Sequence, residues 1–230
     1  MNLTYFLVSQ IFILVIIYAL VYHHFKVKMN DHQLKILTAV TNAKDQYTVS
    51  HSEHVAVVCG LIFDQLPKTL QKKINKNRLI KAARLHDIGK LYIPDTILRK
   101  PAPLTDGEFE EIKTHPSIGA KLLSRTHNSD VSALVNWHHE RADGNGYNKA
   151  PANMIPIESS IIAIADTFSA LTTSRPYRTV PKTIPEAIDI IRGLSGEQLN
   201  EVLVKYFLEI DVQKLVTIDT MLKGQYFYEK

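Results

Sequence analysis

The sequence predicts an all-α protein with one N-terminal transmembrane helix. Three observations carry that reading. Leu3–Tyr22 (LTYFLVSQIFILVIIYALVY) holds no charged residue and matches the ~20 residues a helix needs to cross a bilayer. From Thr48 onward, apolar residues recur near the helical period, punctuated by Pro, Asn and Asp. No stretch shows sustained strand alternation between hairpin turns, and no internal repeat or low-complexity tract interrupts the chain. At 230 residues the chain suits one domain with a short appendage, enough to bury a core without disulfides.

The organisation follows: residues 1–24 form the anchor, 25–45 a juxtamembrane linker helix, and 46–230 the folded domain. A secretory signal peptide is the rival for the anchor, but no Lys or Arg precedes the run and no A-x-A-like site follows it. A buried core helix is the second rival, yet this run is apolar on every face. Lys26, Lys28 and Lys35 follow the run, so the positive-inside bias places the rest of the chain in the cytoplasm of a bacterial inner membrane protein that spans once. Tyr18 and Tyr22 suit an interfacial belt, and Leu34, Ile36, Leu37 and Val40 suit a short amphipathic helix.

In the body, His51–Leu66 is expected to be helical and Pro67 to end it. A second helix is expected over Thr69–Asp87, opening with a basic run that includes Lys72, Lys76, Arg78 and Lys81. That run is read as a solvated face, with anionic lipid as the sharper alternative; aromatics do not interleave with it, so a nucleic acid polymer is not the expected partner. Thr105–Glu108 (TDGE) resembles a capping box opening a helix through Lys113. Pro116 starts Ser117–Ser124, and Asp130 is expected to cap Val131–His139. After the Gly-, Asn- and Pro-rich loop Glu140–Pro156 come Ile157–Thr172, Ile184–Arg192, Glu197–Leu208 and Asp211–Leu222. Cys59 sits in VAVVCGLIF and is read as a small buried apolar residue of a reduced compartment. The net charge of +4 permits anionic partners such as nucleotides or lipid headgroups.

The chemistry centres on the adjacent pair His86-Asp87. An imidazole beside a carboxylate after an apolar helical run suits a divalent metal, and Lys90 lies one turn further on the same face. His51, His115, His138, His139 and Asp166 keep it company. Taken singly, most have plainer readings: His51 as a helix-start residue, His115 as a loop residue, His138 and His139 as a buried helix end. Asp166 resists such a reading, because a carboxylate inside IIAIADTFSAL is costly unless paired or metal-bound. Together, five histidines and two aspartates exceed the needs of one tetrahedral ion and suit two six-coordinate ions. His23, His24, His32, His54 and His127 lack this context and are read as juxtamembrane or surface residues.

The spacing H…HD…H…HH…D resembles that of the HD metal-dependent phosphohydrolase superfamily. AARLHDIGKLYIPDTILRKPAPLTDGEFEEIKTHPSIGAKLL, NWHHERADGNGYN and IAIADTFSALTTSRPYR are similar to the HD-GYP family of cyclic dinucleotide phosphodiesterases, over roughly Tyr47–Phe207. The resemblance implies an HD-domain helical bundle. It implies that His51, His86, Asp87, His115, His138, His139 and Asp166 are metal ligands, with Asp87 bridging two divalent ions, Fe or Mn. It places Lys90 on the substrate phosphate, gives Asp87 and Lys90 catalytic roles, and assigns Tyr147, Arg175 and Arg178 to substrate binding. The usual substrate is cyclic di-GMP, with linear pGpG as first product and GMP as a slower one.

Departures from the family pattern stand beside this. The name motif reads Gly146-Tyr147-Asn148, and loss of its Pro is expected to leave the loop less preorganised. Tyr47 stands where some members carry a Glu supporting a third metal, so two ions are expected. Ser174 replaces a usual Asp and Ala102 a usual Gly. Two metals would activate a water and clamp the phosphodiester, with Lys90, Arg175 and Arg178 offsetting phosphate charge. A module that binds the dinucleotide or a diguanylate cyclase without turnover is the alternative Asn148 supports. Hydrolysis of cyclic GMP-AMP is a further one. Regulation is expected through a homodimer or a membrane partner.

Overall fold

A computed structural model describes residues 12–20, 22, 36, 48–126, 128–173 and 180–227. The chain divides into two units, 1–37 and 38–230. In the first, residues 12–20 and 22 are helical, and Tyr18 and Tyr22 stack with ring centroids 6.3 Å apart. Most of the predicted linker and part of the predicted anchor lie outside the described residues. Among those described, no helix is long and apolar enough to cross a membrane.

Among the described residues of the second unit, the regular elements are all helices. Helix α1 (Thr48–Gln65) ends where Pro67 takes extended ψ and opens the single turn α2 (Lys68–Gln71). The expected helix over Thr69–Asp87 is in fact broken. The chain turns at Lys72–Asn75, burying Ile74, and the Asn75 side chain accepts from the Arg78 N–H to cap a new helix, α3 (Lys76–Leu85). A capping side chain and a buried anchor at the break outweigh continuous propensity. A 3-10 turn (Ile88–Tyr92) and α4 (Asp95–Leu98) follow. Thr105 and Glu108 form the reciprocal capping box at the start of α5 (Asp106–Ile112), as the sequence predicts. Helix α6 (His115–Ser124) carries Pro116 in its first turn.

Helix α7 (Ser132–Asn136) is shorter than Val131–His139, and Asp130 does not cap it. Asp130 lies in the 3-10 turn Ser129–Val131 and accepts from Lys81 Nζ at 2.8 Å, so its carboxylate is spent on another helix. Helix α8 (Ile157–Thr172) matches expectation, and α9 (Ile184–Gly193) opens on a second capping box, Thr183 with Glu186. Helix α10 (Glu201–Leu208) starts later than Glu197, because a turn closed by Gly196 at φ +85° occupies that stretch and Asn200 supplies the cap. Helix α11 is Val212–Phe227.

Helix α1 is the central post, packed against α3 and α8, with α10 and α11 also against it. Val55, Val58, Cys59 and Ile62 are fully buried on it, and Phe168 of α8 meets Phe207 of α10 at 5.5 Å. Burying each such side chain contributes roughly 1.5–3 kcal/mol. Cys59 is the buried small residue expected; burial, with Asp166 nearby, pushes its thiol pKa well up and leaves it inert. The basic run is not a simple solvated face. Lys76 pairs with Asp64 at 2.6 Å, Lys81 with Asp130, and Arg78 with the buried Glu158.

Candidate metal centre

Helix ends deliver most of the predicted ligands. His86 caps the C-terminus of α3, His115 follows α5, and His138 follows α7. The last carbonyls of a helix lack ladder partners. Each ring therefore donates back to a carbonyl three residues earlier: His86 Nδ1 to Ala83 O at 2.7 Å, His115 Nδ1 to Ile112 O at 2.8 Å, and His138 Nδ1 to Val135 O at 2.6 Å. That bond fixes the tautomer with a bare Nε2 turned inward, the arrangement of a metal-ligating imidazole.

Gly89 makes the junction. A Cβ there would lie 1.9 Å from the His115 carbonyl oxygen and 2.7 Å from Gly119 N. Only a residue without a side chain lets the turn after Asp87 abut the start of α6, and so sets His115 beside Asp87.

All seven predicted ligands converge. His51, His86 and Asp87 offer donor atoms within 4.8 Å of one another, and so do His115, His138 and His139. Asp87 stands between the groups: Oδ2 is 3.3 Å from His86 Nε2, and Oδ1 is 3.3 Å from His115 Nε2. Asp166 Oδ1 is 3.0 Å from His51 Nε2 and 3.9 Å from His86 Nε2, joining the first group. His115 and His138 bring their Nε2 atoms to 3.3 Å. His86 Nε2 is buried and makes no hydrogen bond. A buried ring nitrogen with no hydrogen bond, next to carboxylates, fits a divalent cation.

The electrostatics hold His138, His139, Asp87 and Asp166 in their ligating forms, and act the other way on His86. Burial, then the neighbouring His115, pulls the His139 pKa down to about 3. Burial, then His139 and His86, holds His138 well below its ordinary value, so both rings stay neutral. Burial opposes charge on Asp87, but His86, Lys90 and His115 outweigh it and hold the carboxyl well below the usual range. Asp166 behaves alike: burial is outweighed chiefly by the His51 hydrogen bond and charge. For His86, burial lowers the pKa while Asp87 and Asp166 more than reverse it.

Lys90 reaches Asp87 Oδ2 at 2.6 Å, as its spacing predicts. Side chains of Lys90 and Asp166 keep 18% and 17% exposure, so the site opens beside them. Tyr147 lies against the His139 ring at 4.6 Å, and Lys113 sits over Tyr147 at 5.8 Å. Arg175, Arg178, Ser174 and Tyr47 lie outside the described residues.

Three residues escaped the sequence reading. His54 is buried, not at the surface, and its Nδ1 is 3.0 Å from Ser169 Oγ, which also meets His51 Nδ1 at 2.8 Å. The signal was available as spacing: His54 follows His51, and Ser169 follows Asp166, by three residues. Glu140 is buried behind the Tyr147 loop and accepts from Asn148 N at 2.7 Å, Asn148 Nδ2 at 3.0 Å and Ala150 N at 2.9 Å. The loop is thus tied down by a device other than a Pro. The N–H that a Pro would lack is bonded to a carboxylate, and Asn148 adds a side-chain donor. Gly146 belongs to the same device, since a Cβ there would come 2.5 Å from Glu140 Cα.

Comparison with known proteins fits this geometry. The HD domain family model matches residues 40–201. A cyclic di-GMP phosphodiesterase of Thermotoga maritima is 38% identical over 183 residues, covering 77% of this chain and 48% of that protein. The cyclic di-GMP phosphodiesterase response regulator RpfG of Xanthomonas campestris is 41% identical over 150 residues, covering 63% and 39%. A 3'3'-cGAMP-specific phosphodiesterase of Vibrio cholerae is 35% identical, covering 74% and 40%. The chain thus spans less than half the length of these relatives. Among solved structures, the L. monocytogenes PgpH HD domain bound to cyclic-di-AMP shares the fold, with TM-score 0.51, 21% identity, and coverage of 82% of this chain and 95% of that one. With a match this long, and with the paired His86-Asp87 at the centre of an all-α bundle, the chain belongs to the HD domain family.

Proposed function

We propose that the chain is a metal-dependent phosphodiesterase that opens cyclic di-GMP to linear pGpG and, more slowly, releases GMP. The observation that carries this reading is Asp87, whose two oxygens face two separate groups of imidazoles. His51, His86, Asp87 and Asp166 would hold one ion, and Asp87, His115, His138 and His139 the other, with Fe or Mn the expected metals. Such ions, when bound, supply Lewis-acid charge to the phosphodiester and acidify a water.

The protein's own groups do the rest. Buried His51, His86, His115 and His138 give a floor closed to bulk water, which strengthens every charge interaction above it. Lys90 holds its ammonium at the rim, where it meets a phosphate oxygen as a point charge. Tyr147, held against His139 by the Glu140 clamp, fixes the position of the nucleotide. Arg175 and Arg178 are proposed to bind its phosphates through their planar forks. The bonds from Asn148 to Glu140 support an ordered loop and so favour the enzyme over a binding module.

Cyclic GMP-AMP is the second substrate reading, supported by the Vibrio cholerae relative specific for 3'3'-cGAMP. We further propose that residues 3–22 anchor the chain once in a bacterial inner membrane with the domain in the cytoplasm, supported by the uncharged run and the lysines after it. Hydrolysis of both dinucleotides by the Mn(II)- or Fe(II)-loaded protein, resolved by chromatography, tests the substrate. Faster conversion of cyclic di-GMP to the linear product is expected; turnover of cyclic GMP-AMP alone would select the second reading. Sedimentation of the expressed chain with membranes, resistant to carbonate wash, tests the anchor.

A further inference from the structure

One candidate ligand is held differently from the others. His86, His115 and His138 each use a nearby helix-end carbonyl to fix Nδ1. His51 lies inside α1, where main-chain carbonyls are committed to the N–H four residues on. Helix α8 provides a partner on each side of the ring. Asp166 Oδ1 lies 3.0 Å from Nε2, and Ser169 Oγ, one turn further along the same helix, lies 2.8 Å from Nδ1. Ser169 Oγ is then 3.0 Å from Nδ1 of His54, one turn after His51 on α1. Ser169 and His54 are fully buried.

We propose that Ser169 and His54 are positioning residues for the metal centre, fixing the ring plane and tautomer of His51. This rests on the reading of His51 as a ligand. With Nε2 bare for an ion, the ring proton sits on Nδ1 and is donated to Ser169 Oγ. The Ser169 hydroxyl in turn donates to His54 Nδ1, which places the His54 proton on Nε2. A hydroxyl donates once and can accept twice, so the relay runs in this direction when His54 Nδ1 is the acceptor of that one proton. Without Ser169 the two Nδ1 atoms face each other in a buried space, and His51 loses the bond that holds its lone pair on target.

The test is Mn(II) binding to the full metal-free chain, followed by the free-ion electron paramagnetic resonance signal, with thermal unfolding of the metal-free protein alongside. Ser169→Ala and His54→Leu are expected to weaken one of two bound ions by roughly 10–100-fold, while His54→Asn, whose amide oxygen replaces the acceptor, stays within about threefold of wild type. The second ion, on the His115 side, keeps its affinity, and the metal-free Ser169→Ala chain stays folded. Two ions bound by Ser169→Ala as tightly as by wild type would overturn the relay and leave the metal centre standing. Equal weakening of both ions with a lowered metal-free unfolding temperature would also overturn it, as a merely structural effect. A wild-type chain that binds no Mn(II) would overturn the ligand assignment itself, and the relay with it.

Discussion

Replacing Glu140 by Ala removes the carboxylate that three donors of the Tyr147 loop share. Ala150 is 6% exposed, so its N–H finds no water and becomes an orphan costing about 1–3 kcal/mol. Asn148 is exposed, and its main-chain and side-chain donors recover water, so they lose about 0.5–1.5 kcal/mol together. The loop therefore loses roughly 2–4 kcal/mol of closure. At about 1.4 kcal/mol per factor of ten, the closed-to-open ratio drops by roughly 30- to 700-fold, which appears as a raised KM. Glu140 accepts from Asn148 and Ala150 and from none of the candidate ligands, so metal content is expected to stay near the wild-type level even with His139 next to it in the chain. Asn148→Pro keeps the Ala150 bond and loses those of Asn148, so KM rises less than about tenfold. Steady-state hydrolysis of cyclic di-GMP with metal analysis is the assay. A Glu140→Ala enzyme with wild-type KM, or an Asn148→Pro enzyme with a lower one, would refute the clamp.

Other outcomes follow from the same structure. Gly89→Ala would drive a methyl into the His115 carbonyl, costing about 3 kcal/mol or more and lowering the metal content along with the unfolding temperature; a normal unfolding temperature with full metal content would contradict the close approach. Arg78→Met leaves Glu158 buried without its cation and should cost about 3 kcal/mol by urea unfolding, whereas the double change with Glu158→Leu should recover most of that loss. The Lys100 hydrogen bond, then the Thr105 N–H, hold Glu108 at about 2 against an ordinary 4.5. Its contribution is complete above pH 4.5 and is lost as pH falls toward 2, so wild type should lose stability more steeply than Glu108→Gln across that window; parallel curves would refute it.

The candidate ligands were legible because most carry a local signature: His86, His115 and His138 lie at helix ends, and Asp166 inside an apolar helix. Asp166 is the clearest case, since an unpaired carboxylate in IIAIADTFSAL has no cheap alternative. What was hidden depends on partners far along the chain. His54 looks like any polar residue of α1 until Ser169, 115 residues away, is brought against it. Asn148 read as a loss of stiffness because the carboxylate that binds its N–H lies behind the loop. The break before α3 and the false cap at Asp130 have one cause. Propensity places helices, but Asn75 and Lys81 decide their ends through particular hydrogen bonds. Of the lysines after Pro67, Lys72 is exposed as read, whereas the acidic partners of Lys76 and Lys81 lie on other elements.

The proposed role of Asp87 is to join two ions into one hydrolytic site. The most direct test is cyclic di-GMP hydrolysis by the full chain loaded anaerobically with Fe(II) or Mn(II), with bound metal counted on the same sample and Asp87→Ala in parallel. Two ions per chain, conversion to the linear dinucleotide, and loss of both in Asp87→Ala is the predicted result. Hydrolysis that persists in Asp87→Ala, or a fully loaded wild-type chain that binds the dinucleotide without cleaving it, would contradict the account.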